Sequence, residues 1–151
     1  MKKLLQNLIG GFAGAVALNI LHETVRQFDA DAPRIDLVGK EGLNKTIEAA
    51  GGIPLEGGAL YGAALAGDLV SNSLYYSVIG AGKHKNLILR GTLVGITAGL
   101  GALQFTRPIG LDDTPVTRTR KVKIMTVGYY LAGGLVSACV IRALRRKFPT
   151  Q

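Results

Sequence analysis

Few side chains in this sequence could do chemistry, and those that could gather in two places. Asp68 is the one acid within any of the long apolar runs, and Ser71 and Asn72 follow it at the spacing that puts all three on one helix face. A carboxylate at membrane depth costs roughly 3 kcal/mol on insertion scales, so such groups face protein or a water-filled cavity. Asn19, near the end of an earlier run, is an expected partner, as are Ser137 and Tyr129 in the last run. Two roles fit Asp68. It locks helices together by hydrogen bonding, or it holds a cation, a proton or a polar substrate group. No second buried charge stands in these runs to complete a proton relay.

The other place is His22-Glu23-Thr24-Val25-Arg26, which matches the first half of an H-E-x-x-H zinc site. Position 26 is arginine, and the only other histidine is His84, so no metal site is expected. Glu23 with Arg26, or with Arg34, reads as an interfacial ion pair that fixes the end of a helix. Asp29, Asp31 and Asp36 follow closely and read as solvated loop acids, the alternative being a shared divalent cation. Cys139 has no base beside it and reads as packing. No Ser–His–Asp set, paired carboxylates or phosphate loop is visible, so no catalytic residue and no cofactor are assigned.

The elements that must position these groups are apolar runs. The chain has 151 residues, 48% of them apolar, with 21 glycines and one cysteine. Charged residues make up 19%, against about 25% in soluble domains. That balance excludes a disordered basic tail and a disulfide scaffold. Four stretches, 4–21, 57–82, 86–105 and 124–141, carry almost no charge, and a bilayer core needs about 20 such residues. The expected fold is all-α: one integral membrane four-helix bundle. Lys2 and Lys3 give the first run the start of a signal peptide, but Gln6, Asn7 and Gly10–Gly11 interrupt it, so an uncleaved span is expected. The mean hydropathy of +0.28 is low for four spans. A soluble helical core is therefore the competing reading, opposed by the lack of a polar stripe in 124–141.

The extramembrane segment 22–56 should break at Ala32-Pro33-Arg34. Val38, Leu43, Ile47 and Ala50 then recur at helical spacing among Lys40, Glu41, Lys45 and Glu48, which suits a short amphipathic interfacial helix ended by Gly51–Gly52. Gly82–Lys85 reads as a tight turn, making an antiparallel hairpin of the second and third runs. The connection 106–123 carries Pro108, Pro115 and a basic cluster.

Charge and glycine are both distributed by position. With both termini on one side, that side holds nine basic residues and no acid: Lys2, Lys3, Lys83, Lys85, Arg90, Arg142, Arg145, Arg146 and Lys147. The other side holds the remaining nine basic residues and nine of the ten acids. A purely cationic face suits an anionic cytoplasmic leaflet, so both termini are expected in the cytoplasm of a bacterium, with the lipid bilayer and no nucleic acid as partner. Gly91, Gly95 and Gly99 recur every four residues, as do Gly10 with Gly14 and Gly58 with Gly62. In lipid, helix contact depends on close backbone approach, which glycine permits. These stripes point to a structural or accessory subunit, not an enzyme, that packs against itself in a homo-oligomer or against other membrane subunits. The alternatives are a small oligomeric transporter or channel using Asp68 and Asn72, and a lipid-acting enzyme working at the His22–Asp36 side.

Overall fold

Glycine decides how this chain folds, because its helices meet where a side chain is missing. The computed structural model describes residues 1–82 and 86–149. Among them the order is α1 (Lys3–Phe28), α2 (Ile35–Ala49), α3 (Gly57–Ser77), a 3-10 turn (Val78–Gly80), α4 (Leu87–Gln104), α5 (Thr114–Thr117) and α6 (Arg120–Lys147). No strand occurs among the described residues. Residues 83–85 of the expected turn at Gly82–Lys85, with His84, lie outside them.

α1, α4 and α6 are long and apolar enough to cross a membrane. At 1.5 Å per residue, α1 is about 39 Å long and α4 about 27 Å. The fourth expected run forms α3, which is 21 residues long. Its four glycines, three serines, three tyrosines, Asn72 and Asp68 keep its hydropathy below that of the other three. Of the four expected spans, three helices thus qualify, and the fourth, α3, is long enough but not apolar enough to count with them. α1 and α6 also extend past the expected runs. The helix overrides the run boundaries because Glu23, Arg26, Lys121 and Lys123 are good helix formers that can stand in water.

Three antiparallel seams hold the four long helices together. On α1, Gly10 and Gly14 lie against Ile141, Ser137 and the Gly133 carbonyl of α6, while Gly11 lies against the Ser73–Ser77 backbone of α3. Along α4, Gly91 meets Gly134 and Ala138 of α6, Gly95 meets Tyr130 and Leu131, and Gly99 meets Val127. The order around the bundle is therefore α3, α1, α6, α4. The expected hairpin of α3 and α4 shares only a short seam, where Tyr75 donates to the Val94 carbonyl at 3.3 Å. Tyr76, fully buried, fills the space between α3 and α6, and its hydroxyl donates to the Tyr130 carbonyl at 2.9 Å.

Both ends of the bundle are tied. At one end Gln6 donates to the Phe148 carbonyl at 2.8 Å, bringing the two termini together. Arg90 and Arg145 donate there to the carbonyls of Ala81 and Gly80, where cations complement a helix C-terminus. At the other end Arg34 N–H reaches the Pro115 carbonyl at 3.0 Å, Arg118 the Ala32 carbonyl at 3.0 Å, and Lys121 pairs with Asp29 at 2.7 Å. α2 stops where Gly51 takes a positive φ of 79°, a conformation open to glycine at no steric cost. Thr119 caps α6, accepting from Val122 N–H at 3.1 Å.

Candidate functional site

The polar groups converge where α1, the first turn of α2 and the middle of α3 meet. Asn19 and His22 lie one turn apart on the same face of α1. Asn19 Nδ2 donates to Asp68 Oδ2 at 2.7 Å, and Asn72 Nδ2 donates to Asp68 Oδ1 at 2.8 Å. Both carboxylate oxygens are thus solvated by neutral amides. No lysine, arginine or histidine among the described residues forms an ion pair with Asp68. Ser71, expected beside them, donates instead to the Asp68 backbone carbonyl at 3.2 Å and is exposed. Ser137 and Tyr129, the other expected partners, are both buried elsewhere, Ser137 against Gly14 and Tyr129 against His22.

One turn further along α1, His22 is only 3% exposed. Its Nε2 lies 3.1 Å from the Pro33 carbonyl, which can only accept, so Nε2 carries a proton. Nδ1 is 3.6 Å from Glu23 Oε1, and the ring stands edge-on to Tyr129 with centroids 6.3 Å apart. Asp36, expected as a solvated loop acid, is instead a largely buried hub in the first turn of α2. It accepts from Arg34 Nε at 2.8 Å, Arg26 Nη1 at 3.1 Å and Lys40 Nζ at 3.2 Å, and sits 3.8 Å from His22 Nε2. Burial alone would push its carboxyl up. The hydrogen-bonded Arg34 and Lys40 cations act the other way and hold it well below the usual carboxylate range. Asp36 in turn raises the Arg34 guanidinium above its ordinary value, against the effect of burial.

The ion pair expected between Glu23 and Arg26 is present at 2.7 Å, whereas Arg34 pairs with Asp36 and not with Glu23. Asp29 turns to Lys121 and Asp36 to Arg26, Arg34 and Lys40, so these two acids join separate ion pairs. No group of three His, Cys, Asp or Glu that could hold a metal occurs among the described residues. The signal for Asp36 was present in the Arg34-x-Asp36-x3-Lys40 spacing, with the acid in the first turn of a helix.

A cavity of about 30 Å³ lies between the two polar groups, lined by Leu18, Asn19, His22, Asp36, Lys40 and Asp68 among others. Lys40 closes one side, with Nζ 5.1 Å from the centre of the Tyr61 ring. A space of this size is large enough for one water molecule, with Asn19, His22, Asp36 and Asp68 as the polar groups on its wall.

The glycine stripes separate into two kinds. Gly10, Gly14, Gly91, Gly95 and Gly99 are engaged inside the bundle. Gly58 and Gly62 have nothing within 4 Å of where a Cβ would stand, and α3 presents them outward with Ala66, Val70 and Leu74.

These features define an all-helical protein with three helices able to cross a membrane and a polar cluster near one end of the bundle. No family model, no curated protein and no solved structure matches the chain.

Proposed function

We propose that the protein is a structural or accessory subunit of the bacterial cytoplasmic membrane, with both termini on the cytoplasmic side, that packs the outward face of α3 against a second copy of itself. The observation that carries this reading is the outward stripe of Gly58, Gly62 and Ala66. Gly10, Gly14, Gly91, Gly95, Gly99, Gly133 and Gly134 are all engaged within the chain, and α3 is the helix least suited to face lipid directly. A stripe with four-residue spacing is self-complementary about a twofold axis, where small residues let two backbones approach closely. The nine basic residues and absence of acids on the side of the termini support the orientation.

The test is cysteine cross-linking in native membranes. In a Cys139→Ala background, Ala66→Cys should give a disulfide-linked dimer, and adding Gly62→Leu should abolish it. A wild-type chain that runs alone in mild detergent, with no cross-link and no copurifying protein, would refute the subunit reading. A cross-link to another protein would replace the second copy by a different membrane subunit.

The cavity beside Asp68 favours a second reading, a small oligomeric transporter or channel. Asp68→Asn should then abolish flux in proteoliposomes, and identical flux would exclude that reading.

A further inference from the structure

We propose that Asp68 is a proton-binding site that exchanges with the aqueous side through the cavity under α2, with His22 as a second titratable group on the cavity wall. This inference is independent of how α3 docks. Three observations carry it.

First, Asp68 is stabilised by hydrogen bonds alone. The amides of Asn19 and Asn72 occupy one lone pair on each oxygen, and no cation compensates the charge. A metal ion would need oxygen ligands converging on it, but the amides turn their N–H groups to the carboxylate. A proton needs only a remaining lone pair. Second, the space beside the carboxylate is of water size and continuous with His22 and Asp36. Third, His22 supplies the second titratable group of a relay, which no apolar run contained. Its Nε2–H is held by the Pro33 carbonyl, so proton exchange falls to Nδ1, beside Glu23.

The step balances simply. Cavity water delivers a proton to a free lone pair of Asp68, forming the neutral acid. Release returns that proton to water, with His22 Nδ1 and the Glu23 carboxylate as the next acceptors. The titratable and charged groups around Asp68 are His22 and Glu23 on α1, Asp36 and Lys40 on α2, and Tyr61 on α3. Outside the cavity lining, Tyr76 of α3 and Tyr130 of α6 are the nearest further titratable groups. Arg26 and Arg34 reach the site only through Asp36.

The experiment is infrared difference spectroscopy of the full chain in mild detergent, following the C=O stretch of protonated carboxyl groups as bulk pH is changed and as H2O is replaced by D2O. Wild type should show a carboxyl band that responds to pH and is lost in Asp68→Asn. Gly39 lines the cavity, and a Cβ there meets nothing within 4 Å, so Gly39→Leu should fold and obstruct the path. Its band should persist but exchange severalfold more slowly, and His22→Gln should slow exchange in the same direction. A difference spectrum unchanged by Asp68→Asn, or an exchange rate unchanged by Gly39→Leu, would overturn the proposal. Circular dichroism separates these outcomes from misfolding.

Discussion

Replacing Gly95 by alanine should weaken the fold itself, and by an amount the geometry sets. A Cβ at Gly95 would stand 2.7 Å from Leu131 Cα and 2.7 Å from the Tyr130 carbonyl oxygen, both backbone atoms of α6. Carbon contacts settle at about 3.5–4.0 Å, so α4 and α6 must part by roughly 1 Å at that level. Neither obstacle is the end of a flexible side chain, so no rotamer change relieves it. Overpacking of this kind costs about 1–3 kcal/mol. Gly91 and Gly99 sit on the same seam, with the nearest α6 atoms at 2.5 Å and 2.6 Å. Once one alanine has separated the helices, the next meets a wider gap, so the triple variant should cost less than the three single losses added together. Gly62→Ala is the control. Its Cβ meets nothing within 4 Å in its own chain, so in micelles dilute enough to keep the chain monomeric it should stay within about 0.5 kcal/mol of wild type or gain up to about 1 kcal/mol from helix propensity. The chain has no tryptophan, so the measurement is far-UV circular dichroism during unfolding in mixed micles of mild detergent and dodecyl sulfate. An unchanged midpoint for Gly95→Ala, or an equal loss for Gly62→Ala, would refute the division into inward and outward stripes.

Asp36→Asn should cost about 2 kcal/mol, between the values for exposed and buried ion pairs, because Arg26, Arg34 and Lys40 lose a shared partner. The Asp36 carboxyl is held below its unfolded value of 3.8, so the unfolded chain binds this proton first. Wild-type stability should therefore hold above about pH 4 and decline below it, and Asp36→Asn should flatten that acid slope in micelle unfolding across pH. Thr119→Ala removes the cap on Val122 N–H and should cost about 1 kcal/mol by the same unfolding measurement. Tyr76→Phe keeps the packing against Gly133 but deletes the bond to the Tyr130 carbonyl. It should cost about 0.5–1.5 kcal/mol and leave the helical signal before unfolding unchanged.

The helices were legible in the sequence because an apolar run of bilayer length has few other uses. The amphipathic spacing of Val38, Leu43 and Ile47 marked α2 for the same kind of reason, and Gly51 marked its end. Pairing was not legible. Four-residue spacing says that a face is small, but not what lies against it. Gly91, Gly95 and Gly99 form the longest of these stripes, yet they are consumed by α6, whose Gly133 and Gly134 lie on faces toward Tyr76 and α4. Gly58 and Gly62 carry the same spacing and face outward. The difference lies in the order of helices around the bundle, a long-range property that no window of sequence contains.

The same limit explains why Asp68 stood out in the sequence and Asp36 did not. Asp68 interrupts an apolar run, whereas Asp36 sits in a loop-like stretch rich in charge, where one acid resembles the next. Their partners differ for a physical reason. Asn19 lies sixteen residues beyond Lys3, or about 24 Å along α1 at 1.5 Å per residue, and Asp68 is level with it. There a cationic partner would be a second ion to desolvate, a cost of several kcal/mol, whereas neutral amides solvate the carboxylate without adding one. One turn further on, His22 marks the change of environment. Beyond it Asp36 gathers guanidinium and ammonium groups that are 23% to 37% exposed and remain partly hydrated. Position along α1 thus selects the chemistry of the partner, amide below His22 and cation above it. The small cavity lies across that boundary and is lined by both acids, the amide-solvated Asp68 and the cation-paired Asp36.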